Sequence, residues 1–390
     1  MDMPRTVWKS TAINLLMFAT LHLSLGLAAA EKHHPTPIWR FHLKEVGYEK
    51  RENDTAKIYT IGYVKPNLTF LGDDAVVAGF VTGSTKQPPL TGTWVLHLVM
   101  LDSRNGRVRG QRTFPLEGHE SGIFASSGGN LIVWLGPSLL LLNREFETIA
   151  QLQLPKSSNP AWRFLRFVIS ATRQTLFVAS TDTANKLEPT GDVIDTGALE
   201  RKRLCKYSRQ EDFPETITDS QAARINGKTM LVSRLCDESH PVTPPKQCAA
   251  LWAGSIHFVN DDLLAVTCSD VVPKTPFTRV SSTTFLLKPS GTVLMARNAG
   301  KKERAESVLM SPDGHRFALV SSLLGGVEIP AFDMYYHDVR SRVAVYDTGN
   351  TAERLVFQIE PHASGIAMAG DGSMLAATVG EEIQAFVLPK

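Results

Sequence analysis

Met310-Ser311-Pro312-Asp313-Gly314-His315-Arg316-Phe317-Ala318-Leu319-Val320 joins one short apolar segment to another through a tight polar turn. Asp-Gly tolerates the positive φ that such a turn needs, and Phe317 to Val320 favour extended backbone, so the stretch reads as a β-hairpin. Six further segments repeat the pattern. They are residues 70–77 around Asp73-Asp74, 124–133 around Gly128-Gly129, 169–178 around Arg173, 223–232 around Asn226-Gly227, 258–266 around Asp261-Asp262 and 368–376 around Asp371-Gly372. With the turns at 73, 129, 173, 227, 261, 313 and 371, the spacings are 56, 44, 54, 34, 52 and 58 residues.

Most units go on to a third apolar strand, as in residues 94–102, 139–143, 284–288 and 343–349. The clearer units add a fourth, as in 111–114 and 354–358. Four antiparallel strands repeated at about 40–50 residues describe a propeller blade. One such sheet cannot cover both its faces, so the units must stack around an axis. The expected fold is all-β: a seven-bladed β-propeller of four-stranded antiparallel blades, forming one domain over residues 31–390. Unit seven ends at residues 383–388 without a fourth strand, and the segment 38–43 before unit one can supply it. That N-terminal strand would complete the last blade and leave no open edge. Units three and four fit least well, across residues 182–247, where 198–206 reads as a short helix.

Ser311-Pro312-Asp313-Gly314 and Ala369-Gly370-Asp371-Gly372 resemble the turn between the first two strands of WD40-type and YVTN-type propeller blades. Gly118-His119 resembles the Gly-His that opens a WD40 blade. His119-x-Ser121-Gly122-Ile123 and His362-x-Ser364-Gly365-Ile366 form a second internal repeat. The resemblance spans residues 37–389 and is specific for architecture only. The Trp-Asp dipeptide of the family is missing from every third strand, with Tyr346-Asp347 the nearest substitute. By that resemblance, His119 and His362 each make an orienting hydrogen bond inside a blade, and Asp313, Gly314, Asp371 and Gly372 are structural turn residues.

Residues 1–30 read as a removable export signal. Arg5 and Lys9 precede an apolar stretch that ends on Ala28-Ala29-Ala30, which suits cleavage after Ala30. An uncleaved anchor is the rival reading, opposed by Asn14, Thr20, His22 and Ser24 within the stretch. No span is expected after signal removal, and the destination is periplasmic or extracellular. In an oxidising compartment Cys205, Cys236, Cys248 and Cys268 suggest two disulfides with three possible connectivities. Cys236–Cys248 is the favoured pair, because it would staple the Pro-rich loop between them. A metal site from Cys236, His240 and Cys248 is the weaker alternative, since the spacing matches no common zinc pattern. Asn53 and Asn67 open Asn-x-Thr sequons, which matter only in a host that glycosylates.

Lys+Arg of 41 against Asp+Glu of 39 gives a net charge of +2. With no basic block, binding to nucleic acid through phosphate charge is excluded. No nucleophile elbow, His-Glu-x-x-His, P-loop, haem motif or calcium loop is present. No metal or cofactor is therefore expected. Long insertions fall between the second and third strands of units five and six, and residues 236–248 read as the corresponding loop of unit four. These would converge on one face. The binding candidates there are Phe277 and Arg279, with Asp333, Tyr335, Tyr336, His337, Asp338 and Arg340. Aromatic residues mixed with Arg, Asp and His suit a binding surface, although they could equally pack back on the blades. The leading expectation is an exported, monomeric, non-catalytic scaffold binding a protein, peptide or glycan. The alternative is a propeller enzyme of the lactonase, hydrolase or quinone-dependent dehydrogenase type, implied by the resemblance, with its site at the channel mouth.

Overall fold

A computed structural model describes residues 35–48, 67–83, 94–116, 121–154, 163–182, 188–251, 255–269, 281–299, 303–325 and 337–389. The chain enters on β1 (Trp39–His42). Blade one is β2 (Asn67–Leu71), β3 (Ala75–Gly83), β4 (Trp94–Asp102) and β5 (Val108–Leu116). Blade two is β6 (Ser121–Ala125), β7 (Leu131–Leu135), β8 (Ser138–Leu142) and β9 (Thr148–Gln153). Blade three is β10 (Arg163–Ile169), β11 (Thr175–Asp182), β12 (Thr190–Asp195) and β13 (Glu200–Lys206). Blade four is β14 (Thr216–Ile217), β15 (Gln221–Asn226), β16 (Thr229–Arg234) and β17 (His240–Val242). Blade five is β18 (Ile256–Asn260), β19 (Leu263–Ser269), β20 (Ser282–Leu287) and β21 (Val293–Ala299). Blade six is β22 (Glu303–Met310), β23 (Arg316–Gly325), β24 (His337–Asp347) and β25 (Glu353–Ile359). Blade seven is β26 (Ala363–Met368), β27 (Met374–Val379) and β28 (Glu382–Val387), with β1 as its fourth strand.

Seven four-stranded antiparallel sheets thus make a closed propeller. The closure is the one expected: Trp39 pairs with Ala385 and His42 with Glu382. Within each blade the strands are called A to D in sheet order. Neighbouring A strands touch, as β2 does with β6 and β26, so they form the inner ring. The D strands lie outermost, and β9, β13 and β21 are largely exposed.

The core is divided into seven apolar clusters, one at each junction between blades. A single blade has two apolar faces, and only a neighbour on each side can take both out of water. Along β3 the strand period of two sorts the side chains accordingly. Val76, Ala78 and Phe80 pack toward blade seven, and Ala75 and Val77 toward blade two. Burying a side chain such as Phe80 contributes about 1.5–3 kcal/mol.

Blades three and four correct three sequence expectations. The Asn226-Gly227 turn joins β15 to β16, the B and C strands, instead of A to B. The A–B turn lies at Thr218-Asp219-Ser220, where the backbone N–H groups of Ser220 and Gln221 donate to Thr218 Oγ1 at 3.3 and 3.0 Å. A turn built on a threonine hydroxyl has no glycine signal, whereas Asn-Gly is the strongest hairpin signal and drew the assignment. With the turn at 219, the outlying spacings of 54 and 34 become 46 and 42. Residues 236–248 consequently follow strand C and contain β17, so they are not a B–C loop. Residues 200–206, expected within a helix, are the strand β13.

The disulfides are Cys205–Cys236 and Cys248–Cys268, with Cα–Cα distances of 5.1 and 5.4 Å. The Cys236–Cys248 pairing is overturned because β17 runs between those residues, pairing His240 with Val232, and separates them along its length. Each cysteine bonds to a neighbouring blade instead: Cys205 lies on β13 of blade three and Cys268 on β19 of blade five. Blade four, with the shortest A and D strands, is therefore stapled on both sides. Both cysteines of the alternative metal triad are consumed in these bonds.

Candidate functional site

Antiparallel strands alternate in direction, so all A–B and C–D turns fall on one side of the ring. The B–C and D–A connections fall on the other. Between Gly83 and Trp94, Ser269 and Ser282, and Gly325 and His337, the B–C connections of blades one, five and six are the long ones. The sequence reading placed such insertions in units four, five and six, so blade one joins the group and blade four leaves it.

Phe277, Arg279, Asp333, Tyr335 and Tyr336 lie in these connections, outside the described residues. His337, Asp338 and Arg340 do not belong to the loop as expected; they open β24, opposite Gly325, Leu324 and Leu323. The B and C strands of blade six extend further than their apolar pattern, because backbone pairing continues past the last buried pair. Arg340 is half-buried, and its Nε lies 2.9 Å from Glu360 Oε2.

Beneath this loop, the two faces of the β23–β24 ladder carry different polar groups. Ser321 and Arg342 are cross-strand partners on the face toward blade five. Both reach the buried carboxylate of Glu303, which also pairs with Arg297 of β21. The next pair, Ser322 and Ser341, lies on the face toward blade seven. There His362 Nδ1 is 2.9 Å from Ser341 Oγ and 3.3 Å from Ser322 Oγ. Ser341 Oγ also accepts from the backbone N–H of Ala363 at 3.0 Å. These two contacts of His362 join blade seven to blade six. His119 lies outside the described residues. Glu303 escaped notice because its partners come from two blades and share no local motif.

The opposite side of the ring is tied together by its turns. Asp371 N donates to Asp73 Oδ1 at 2.8 Å, joining blades seven and one. Arg144 Nη1 donates to Asp74 Oδ2 at 2.8 Å, joining two and one. Thr172 Oγ1 donates to Asp219 Oδ2 at 2.6 Å, and Gln221 Nε2 to the Asp261 carbonyl at 3.0 Å. Asp313 N donates to the Gly370 carbonyl at 3.1 Å. Within their own turns, Asp313 Oδ1 accepts from His315 N and Asp371 Oδ1 from Ser373 N, while Gly314 and Gly372 take φ of 75° and 66°.

Arg173 adds a tie across the ring. It sits in the A–B turn of blade three with φ of 63°. Its Nη1 donates to the carbonyl of Phe70 in blade one at 2.6 Å, and its Nη2 to that of Met368 in blade seven at 3.3 Å. Blades one and seven are not neighbours of blade three, so these bonds span the centre. Burial lowers the Arg173 pKa to about 10, against the opposing pull of Asp73, and the guanidinium stays charged at neutral pH.

A cleft of about 480 Å³ opens between the outer parts of blades three and four. Among the described residues no group of three or more His, Cys, Asp or Glu is placed to hold a metal. Nor is any helix among them long and apolar enough to cross a membrane.

No family model and no curated protein sequence matches the chain. In structure it is similar to a chain of the mitotic checkpoint complex, at 12% identity and a TM-score of 0.51, covering 93% of this chain and 98% of that one. It is similar to the Pan2 WD40 domain of Neurospora crassa, at 12% identity and a TM-score of 0.50, covering 91% and 95%. An uncharacterized protein from Listeria monocytogenes EGD-e is similar at 11% identity and a TM-score of 0.50, covering 80% and 88%. At such identities the likeness shows the fold alone, that of a divergent WD40-like propeller without a specific subfamily.

Proposed function

We propose that the chain is an exported, non-catalytic propeller that binds a protein, peptide or glycan through the side bearing its long B–C connections. The observation that carries this reading is the asymmetry between the two sides. One is joined turn to turn and crossed by Arg173; the other bears the long connections of blades one, five and six. Long loops on a rigid scaffold are where recognition is usually placed. A propeller with WD40 structural neighbours fits a binding scaffold in general terms, and one such neighbour is part of a multiprotein complex.

The contact residues of this reading are Phe277, Arg279, Asp333, Tyr335, Tyr336, His337, Asp338 and Arg340. Cleavage after Ala30 would deliver the chain to a compartment where its two disulfides are stable. The enzymatic alternative gains no support from Arg340, which is engaged by Glu360.

The test is affinity capture by the mature protein against a Tyr335→Ala/Tyr336→Ala/His337→Ala variant of equal melting temperature. A partner retained by the parent and lost by the variant is the expected result. A partner held equally by both would place binding elsewhere, and none with either would overturn the scaffold reading.

A further inference from the structure

The cleft between blades three and four shares no lining residue with the contact set proposed above. It is lined by Tyr207, just beyond β13, and Asp212, together with Arg224 of β15, Ser233 of β16 and the turn from Cys236 to Ser239. Its volume of about 480 Å³ falls within the range of small-molecule sites.

The charges in this cleft answer one another. Arg224 Nη2 lies 3.0 Å from Asp212 Oδ1, and Arg224 Nη1 donates to the Glu211 carbonyl at 3.2 Å. Arg203 Nη2 lies 3.0 Å from Asp237 Oδ1. Lys206 and Glu238, of opposite sign, stand exposed at the rim. An ionic ligand would have to displace an existing pair, which gives it no advantage over the protein's own partner.

The hydroxyl groups are different. Those of Tyr207, Ser208, Ser233 and Ser239 make no hydrogen bond with any described residue. The Tyr207 ring is held in place by edge contacts with Phe177 and Phe213, at centroid distances of 6.0 and 5.1 Å. Burial raises its pKa to about 12, so the phenol keeps its proton as a donor. Asp212 and Asp237 each accept few bonds relative to the four lone-pair sites of a carboxylate.

We infer that this cleft binds a small, neutral, polyhydroxylated ligand with the chemistry of a mono- or disaccharide. Such a ligand donates to the spare carboxylate lone pairs and accepts from the phenol and serine hydroxyls. It brings no charge that would compete with the resident pairs. The Cys205–Cys236 bond fastens the turn carrying Cys236 to Ser239 against β13, and so ties the two blades together at the cleft.

The experiment is titration of the full mature protein with maltose, lactose and trehalose, with glucuronic acid and glucosamine as charged comparators. Calorimetry and amide chemical shifts would be the readouts. A neutral disaccharide should bind, with shifts at Tyr207, Arg224 and Ser233. Tyr207→Phe keeps the packed ring and removes only its hydroxyl, and should weaken binding about threefold to tenfold. Ser233→Ala should do the same. The loop-face variant should bind the sugar like the parent, which separates this inference from the function proposed above. Cys205→Ser/Cys236→Ser should lose binding; if that variant does not fold, the Tyr207→Phe comparison decides alone. Failure of all three neutral sugars to bind would overturn the inference. So would tighter binding of either charged comparator, or binding unchanged by Tyr207→Phe.

Discussion

Arg173 Nη1 donates to the carbonyl oxygen of Phe70 at 2.6 Å, although the two residues belong to blades separated by a whole blade. The bond reaches across the inner ring instead of along it, and the second donation to Met368 anchors the guanidinium to blade seven. Arg173→Ala would leave both carbonyls without these donors and should lower stability by about 1–3 kcal/mol. Denaturant unfolding reads this directly, and a parent-like midpoint would show that the tie contributes nothing.

Ring closure rests on a strand distant in sequence from its blade. Trp39 is 7% exposed, and its indole N–H donates to the Ser103 carbonyl at 2.6 Å. A Cβ at Gly106 would lie 2.8 Å from the same indole, so that turn is shaped around the ring. Trp39→Ala should cost about 3–5 kcal/mol, as expected for removing a large buried side chain. Calorimetric melting would expose the idea as wrong if the variant matched the parent.

Two disulfides flank the shortest blade. Cys205–Cys236 closes a sequence separation of 31 residues, and Cys248–Cys268 one of 20. Replacing either pair by serine should destabilise the chain by about 3–4 kcal/mol on the loop-entropy model. Hydrogen exchange should then rise first in β14 to β17. Peptide mapping without reductant should recover these two pairs, and a Cys236–Cys248 peptide would contradict the connectivity.

Arg109 bridges two carboxylates of blade one, Asp74 and Asp102. Its hydrogen bond holds the Asp102 pKa below the ordinary 3.8, with burial opposing. For Asp74 burial acts upward, but Arg109 and Arg144 together prevail and the net shift is again downward. A depressed carboxylate pKa stabilises the fold above the unfolded value, and that contribution disappears as pH falls through the folded pKa. Arg109→Ala should therefore narrow the gap in stability between pH 7 and pH 3. An unchanged pH profile in paired denaturation curves would argue against this bridge.

Gly314 takes φ of 75°, and a Cβ there would meet nothing within 4 Å. Backbone conformation, not space, is the constraint. Gly314→Val should cost more than about 1 kcal/mol, and Gly314→Asn clearly less, because Asn tolerates the left-handed region. Equal melting temperatures for the two variants would contradict this turn geometry.

Much of the fold was legible because its signals are local. Asp313-Gly314 and Asp371-Gly372 mark turns by backbone preference, and the apolar runs beside them mark strands by period. Even the closing strand could be read, from a missing D strand at one end and an unassigned apolar segment at the other. Blade four was misread because its A–B turn rests on the Thr218 hydroxyl, while the Asn226-Gly227 pair nearby carries the stronger hairpin signal. The helix expected at 198–206 failed because pairing with β12 overrides the weak preference of residues 200–206.

The candidate sites divide along the same line. The sequence by itself determined the seven-unit repeat, the four-stranded blade, the ring closure and the long insertions in blades five and six. Each depends on residues close together in the chain or on a period that counts them. Only the tertiary structure decided which cysteines pair, that Arg173 reaches Phe70 and Met368, and that Glu303 gathers arginines from two blades. It alone brought Tyr207 and Ser233 to the lining of one cleft. In a propeller every blade finds its core against its neighbours. Contacts between blades therefore depend on the rotation that sets one sheet upon the next, and no spacing within one unit records it.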